Sequence, residues 1–134
     1  MAGEKIPAPA PVYVEAVTLA KPGGHYSHAC SGAGMVFIAG QLPITPQGER
    51  LVNAAFAAQA AQVLENVKQA LLAAGSGVDR LLQVRVYVDD IANWPAFDTL
   101  YREWAGASRP ARAVVPTGPL HFGFQVEMEA VALA

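Results

Sequence analysis

Arg112 enters a predicted strand directly after Arg109-Pro110-Ala111, where an arginine head can project beyond a sheet edge. A planar guanidinium so placed can hold a carboxylate through two parallel N–H···O bonds, although a surface salt bridge is the plainer use of the same residue. Glu127 and Glu129 stand two apart in an alternating run and so share one strand face. Paired carboxylates can orient water or move a proton, and a solvated face is their plainer reading. His25 and His28, three apart in another predicted strand, point to opposite faces and cannot share a metal ion. With His121 they read as surface or hydrogen-bonded residues, and no metal site is expected. The single cysteine, Cys30, has no partner for an internal disulfide or a thiol metal motif and reads as a small structural residue. No Gly-x-Ser-x-Gly elbow is present, and Gly32-Ala33-Gly34 links two strands, so it offers no helix N-terminus to cradle a phosphate.

These residues must be positioned by one core, because 134 residues is the length of a single domain. Hydrophobic residues make up 53% of the chain and charged residues 15%, which excludes a disordered chain and leaves ample material for an interior. So few charges also leave some surface for another subunit to cover. A net charge of -2 and only nine Lys and Arg argue against nucleic acid as a partner. No run of about 18 apolar residues offers a membrane span, and the start of the chain lacks the apolar core of a secretory signal. With one cysteine, the reading is a cytoplasmic protein.

Pro7, Pro9 and Pro11 alternate with alanine, which predicts an extended, mobile arm over residues 1–11 before a single domain at 12–134. Strands are predicted over 12–19, 25–31 and 35–40, the last apolar on both alternations and so buried on both faces. Two prolines and a glycine make 43–48 a turn. The clearest element is an amphipathic helix over 54–74, with Asn53 as N-cap, Gly75 as stop, and Gln59, Gln62, Glu65, Asn66, Lys68 and Gln69 on its wet side. A strand over 82–88 places Leu82, Val84, Val86 and Val88 on one face; a second helix follows over 94–104, with Pro95 in its first turn. Strands at 113–115 and 124–133 complete an α+β sandwich of one sheet and two helices. Two helices cover only one sheet face. The other carries Gln83, Arg85, Tyr87, Gln125, Glu127, Glu129, Val131 and Leu133, too apolar at one end for simple exposure.

Five segments, taken in order, resemble the RidA-like members of the Rid family of reactive-intermediate deaminases, also called the L-PSP endoribonuclease family. They are Gly40-Gln41-Leu42-Pro43, the helix around Leu64-Glu65-Asn66-Val67, residues 84–90, Arg109-Pro110-Ala111-Arg112, and Val126-Glu127-Met128-Glu129-Ala130-Val131-Ala132. The resemblance implies a chorismate-mutase-like α+β fold, a single mixed sheet with two helices on one face, assembled as a homotrimer with its sites between subunits. It implies cofactor-independent hydrolysis of enamines and imines to 2-keto acids and ammonia, with a small carboxylate-bearing imine or keto acid as ligand. Carried over by motif, Arg112 grips the substrate carboxylate and Glu127 positions the attacking water. Tyr26, Ala39, Gly40 and Val114 line the pocket. Val114 stands where a cysteine is usual and Ala39 where a serine is, so the pocket wall is more apolar; Asp98 stands where an asparagine is usual and His25 where a proline is. A trimeric carboxylate-binding or regulatory protein of the same fold is the alternative, and the acidic balance counts against the ribonuclease of the family's older name.

Overall fold

A computed structural model of the chain describes residues 9–134, so most of the arm expected over 1–11 lies outside the described residues. Six strands form one mixed sheet: β1 (Val12–Val14), β2 (Ala29–Gly32), β3 (Met35–Gln41), β4 (Leu81–Val88), β5 (Ala111–Pro116) and β6 (Val126–Leu133), in the order β1-β2-β3-β6-β4-β5. β2 and β3 are joined by Ala33 and Gly34 alone, both at positive φ (53° and 75°), the two-residue turn that matches strand twist. The helices α1 (Phe56–Ala73) and α2 (Trp94–Ala105) occupy the crossovers from β3 to β4 and from β4 to β5. Both pack on one sheet face, as the sequence implies. β4 and β5 run parallel, while β6 lies antiparallel between β3 and β4.

The core lies between that face and the helices. Val84, Val86 and Val88 of β4 and Val126, Met128 and Ala132 of β6 are fully buried there against Val63, Val67 and Leu71 of α1 and Phe97 of α2. The alternate residues of the central strands, Phe37, Tyr87, Glu127, Glu129, Val131 and Leu133, look out from the other face, where Phe37 and Leu133 stay 46% and 42% exposed. That open face is half apolar, as expected from the sequence, but the exposed Phe37 corrects the expectation that 35–40 is buried on both faces, because the helices cover only one of them.

Several local expectations are corrected. The strand predicted over 12–19 ends at Val14, because Ala16 and Leu19, three apart, both turn into the core. The strand predicted over 25–31 begins only at Ala29. The buried His28 ring accepts from the Ala16 N–H at Nδ1 (2.8 Å), so Nε2 carries the proton and donates to the Ala20 carbonyl (2.9 Å). It is a fastener that folds the preceding chain back, and its separation from His25 is not that of strand neighbours. In β4 an irregularity between Leu81 and Gln83 sends Leu81 into the core and leaves Leu82 exposed, which reverses the face predicted for Leu82. Helix α1 starts at Phe56 behind Ala55, with no side-chain cap, so Asn53 does not cap it. Gln59 and Asn66, predicted on its wet side, are buried because loop backbone groups reach them there. Gly75 does end the helix, at φ 77°.

Candidate active site

Glu127 occupies the open-face side of β6, opposite Tyr87 of β4. Its carboxylate lies directly over Gly40 of β3, where any Cβ would overlap Oε1. The constraint on this position is one of space, since its φ is not positive: a larger residue must displace the Glu127 carboxylate. Around this pair opens a cavity of about 570 Å³ lined by Tyr26, Ala39, Gly40, His121, Phe122 and Glu127, among others. Ala39 is held by its N–H to the His28 carbonyl (3.0 Å), which ties the cavity floor to the His28 fastener. Tyr26 stands at the mouth, half exposed, its hydroxyl accepting from the Gly23 N–H at 3.3 Å.

The two glutamates on this strand face differ in environment. Glu129 accepts a short hydrogen bond from the Tyr87 hydroxyl and faces Arg85 Nη1 at 3.7 Å. Among the described residues no protein group hydrogen-bonds the Glu127 carboxylate, which is therefore available to a water or a ligand. Burial pushes the Glu127 carboxyl above its usual range, the nearby His121 opposes this and Glu129 adds to it. A half-buried carboxylate with a raised pKa and open hydrogen-bonding capacity can accept a proton from water near neutral pH.

Arg112 is elsewhere. It pairs with Val84 across the β4–β5 ladder, so it points to the helix face while Glu127 points to the open face. Its Nη1 donates to Asp98 Oδ1 of α2 at 2.9 Å, and its guanidinium carbon sits 4.8 Å from the Trp94 ring and 4.7 Å from the Tyr101 ring. Asp98 also receives Arg102 Nε at 3.0 Å; the Arg112 bond is the main reason its carboxyl is held below the usual value. The Nε and Nη2 edge of Arg112 has no protein acceptor among the described residues. It borders a second depression of about 560 Å³ with Tyr101, Ser108 and Arg109, at the sheet edge formed by β5. Val114, two residues on, packs on Arg112's side against the core.

Within one chain, then, Tyr26, Ala39, Gly40 and Glu127 come together, and Arg112 and Val114 do not join them. Of the histidines, His121 reaches the Glu127 cavity and His28 borders it as a structural group. No three His, Cys, Asp or Glu side chains gather as metal ligands among the described residues. Among those residues no helix is long and apolar enough to cross a membrane. Sequence reasoning missed Lys21, Arg50 and Phe122 as cavity residues, because each comes from a loop whose path no periodicity reveals.

A sequence profile of the family described as Endoribonuclease L-PSP matches residues 15–134. The yeast (Saccharomyces cerevisiae) Protein HMF1 is 36% identical over 107 residues, 80% of this chain and 82% of that protein. The human 2-iminobutanoate/2-iminopropanoate deaminase is 31% identical over 110 residues, 82% of this chain and 80% of its own. Among solved structures, E. coli TdcF with bound serine superposes with a TM-score of 0.86 at 29% identity, covering 92% of this chain and 98% of that one. A profile match from residue 15 to the last residue, on a fold shared with these relatives, means that the chain belongs to the L-PSP endoribonuclease family, the Rid family that its Gly40, Arg112 and Glu127 segments resemble.

Proposed function

We propose that the protein is a cofactor-independent deaminase that hydrolyses reactive enamines and imines of small 2-keto acids. The observation that carries this reading is the Glu127 carboxylate, half buried over Gly40 and free of hydrogen bonds from the described residues, in a cavity open to Tyr26. In the proposed reaction Glu127 takes a proton from water as the water oxygen bonds to the imine carbon, and passes that proton to the nitrogen, which becomes an amine. The resulting carbinolamine expels ammonia: the C–N bond breaks, the hydroxyl proton leaves through Glu127 to the departing nitrogen, and the carbonyl of the keto acid forms. An enamine first gains a proton at carbon and loses one from nitrogen to become the imine. Orientation supplies much of the effect on a substrate that already hydrolyses unaided.

The carboxylate of the substrate would be held by the open edge of Arg112. Because Arg112 and Glu127 face opposite sides of one sheet, they can serve one substrate only if different copies of the chain supply them. A homotrimer joined through the half-apolar open face, with β5 of one copy brought to the Glu127 cavity of the next, satisfies this. The human relative's name as a 2-iminobutanoate/2-iminopropanoate deaminase supports the chemistry, and serine bound to TdcF supports a small amino- or keto-acid ligand.

The test is a panel of imines generated in situ by an amino-acid oxidase, with hydrolysis read as protection from semicarbazide trapping. Loss of trappable imine in proportion to protein is expected. Keto acids that bind while every imine persists would replace the enzyme with a carboxylate-binding protein.

A further inference from the structure

The Glu127 cavity carries positive charge that hydrolysis of a simple imine does not use. Among the residues lining it, Lys21, Arg50 and His121 are basic side chains beside the structural His28, while Glu127 is the only carboxylate. This contrasts with the net charge of -2 of the whole chain, so the cavity concentrates cations that the composition does not favour.

Arg50 is placed by structure and not by chance exposure. It pairs with Ile44 in a small antiparallel hairpin, closed by Leu51 N–H to the Pro43 carbonyl (3.0 Å) and Thr45 N–H to the Glu49 carbonyl (2.9 Å). The buried Asn66 of α1 donates to the carbonyls of Leu42 and Ile44 at 3.1 and 2.9 Å, which fixes the hairpin to the body of the protein. The Arg50 guanidinium carbon then lies 3.6 Å from the centroid of the Phe122 ring. Phe122 holds φ 58° and ψ 10°, a left-handed conformation that a bulky side chain seldom adopts. It is kept there with its ring edge-on to the fully buried Phe124, 5.8 Å away. Such backbone strain persists only where the surroundings over-determine it. Among the described residues Arg50 makes no ion pair. The result is a flat cation, its face stacked and its N–H edge without an acceptor among the described residues, at the rim of the proposed catalytic cavity.

We infer that Arg50, seated on Phe122, is a second anion-binding group and that the substrate of this cavity is a 2-imino acid whose side chain ends in a further carboxylate. This rests on the deaminase reading for the reaction, with Arg112 of another copy taking the carboxylate beside the imine. Arg50 takes the distal one. Imines with short apolar side chains leave Arg50 unpaired, and the cavity then has less to distinguish them.

Two measurements test the inference separately from the deaminase reading. Imines formed by oxidases from glutamate and from norvaline, which lacks the terminal carboxylate, are compared by kcat/KM. The glutamate-derived imine should be favoured by about tenfold or more, the scale of one charge-assisted hydrogen bond. Arg50→Gln should remove most of that ratio and Arg50→Lys should restore part of it. Independently of turnover, calorimetric titration with 2-oxoglutarate and 2-oxopentanoate should show the same preference in the wild type and its loss in Arg50→Gln. A dicarboxylate preference in titration that depends on Arg50, without imine hydrolysis, upholds the anion site and refutes the deaminase. Equal affinity for the two keto acids, or a preference untouched by Arg50→Gln, overturns the inference even where imines are hydrolysed.

Discussion

Replacing Gly40 by alanine adds one methyl group and probes the placement of Glu127 without touching it. The new Cβ would collide with Glu127 Oε1, with Cδ at 3.2 Å and Cγ at 3.5 Å behind it. The colliding atom is the far end of a side chain, so the backbone need not move. The carboxylate must swing away by about 1 Å, a displacement that can lower turnover by about 100-fold when the displaced group orients the reacting water. Stability should change little. Gly40 has no positive φ, so alanine restricts the unfolded chain and gains about 0.4–1 kcal/mol, which offsets mild crowding of a mobile carboxylate. Kinetics on the best imine, beside thermal melts of the same samples, separates the two effects. In a Glu127→Gln background the alanine should cost far less than in the wild type, because the group it displaces no longer acts as a base. Wild-type kcat for Gly40→Ala, or an equal loss in both backgrounds, would refute the role given to Glu127.

Other outcomes follow from the same geometry. Arg112→Lys should lose most kcat/KM although its charge remains, since an ammonium cannot reproduce the two-pronged edge left open beside Asp98; unchanged turnover would place the carboxylate elsewhere. Glu127→Gln should lower kcat by about 100-fold, the lower end for an acid-base group on a labile substrate, and Glu129→Gln should do less because Glu129 is engaged by Tyr87 and Arg85. Burial raises the Glu127 carboxyl, so the folded state binds that proton more tightly than the unfolded chain. Its stabilising share is full below the unfolded value of about 4.3 and is lost as pH rises through the folded one. Glu127→Gln should therefore melt above the wild type at neutral pH, with the gap closing in acid; a gap that widened in acid would contradict the burial argument. Phe37→Asp, on the open apolar face, should dissociate the proposed trimer in sedimentation equilibrium, and a trimer that persisted would move the interface away from that face.

What could be read from the sequence was set by local pattern. The unbroken apolar run at 35–40 and the alternation in β6 gave the two central strands and put Glu127 and Glu129 on one face, because period-2 alternation is a local property. The apolar stripe of α1 was equally legible. Its wet side was not: Gln59 and Asn66 are polar in composition yet buried, since the backbone groups they satisfy at Gln125, Leu42 and Ile44 arrive from distant segments. The opposite facing of Arg112 and Glu127 depends on the register of β5 on β4, a long-range pairing with no sequence signature. Arg50 escaped notice for the same reason, as Phe122 reaches it only after the sheet is assembled.

The central claim, that Arg112 of one copy and Glu127 of another form a single site, is tested most directly by mixing two inactive chains. Arg112→Ala and Glu127→Ala are each purified, then co-refolded in equal amounts so that subunits exchange at random. An interface whose Arg112 comes from the second variant and whose Glu127 comes from the first is intact, and random assembly makes about one interface in four of this kind. Imine hydrolysis should return to about a quarter of the wild-type rate per site. A mixture no more active than its separate components would contradict the account.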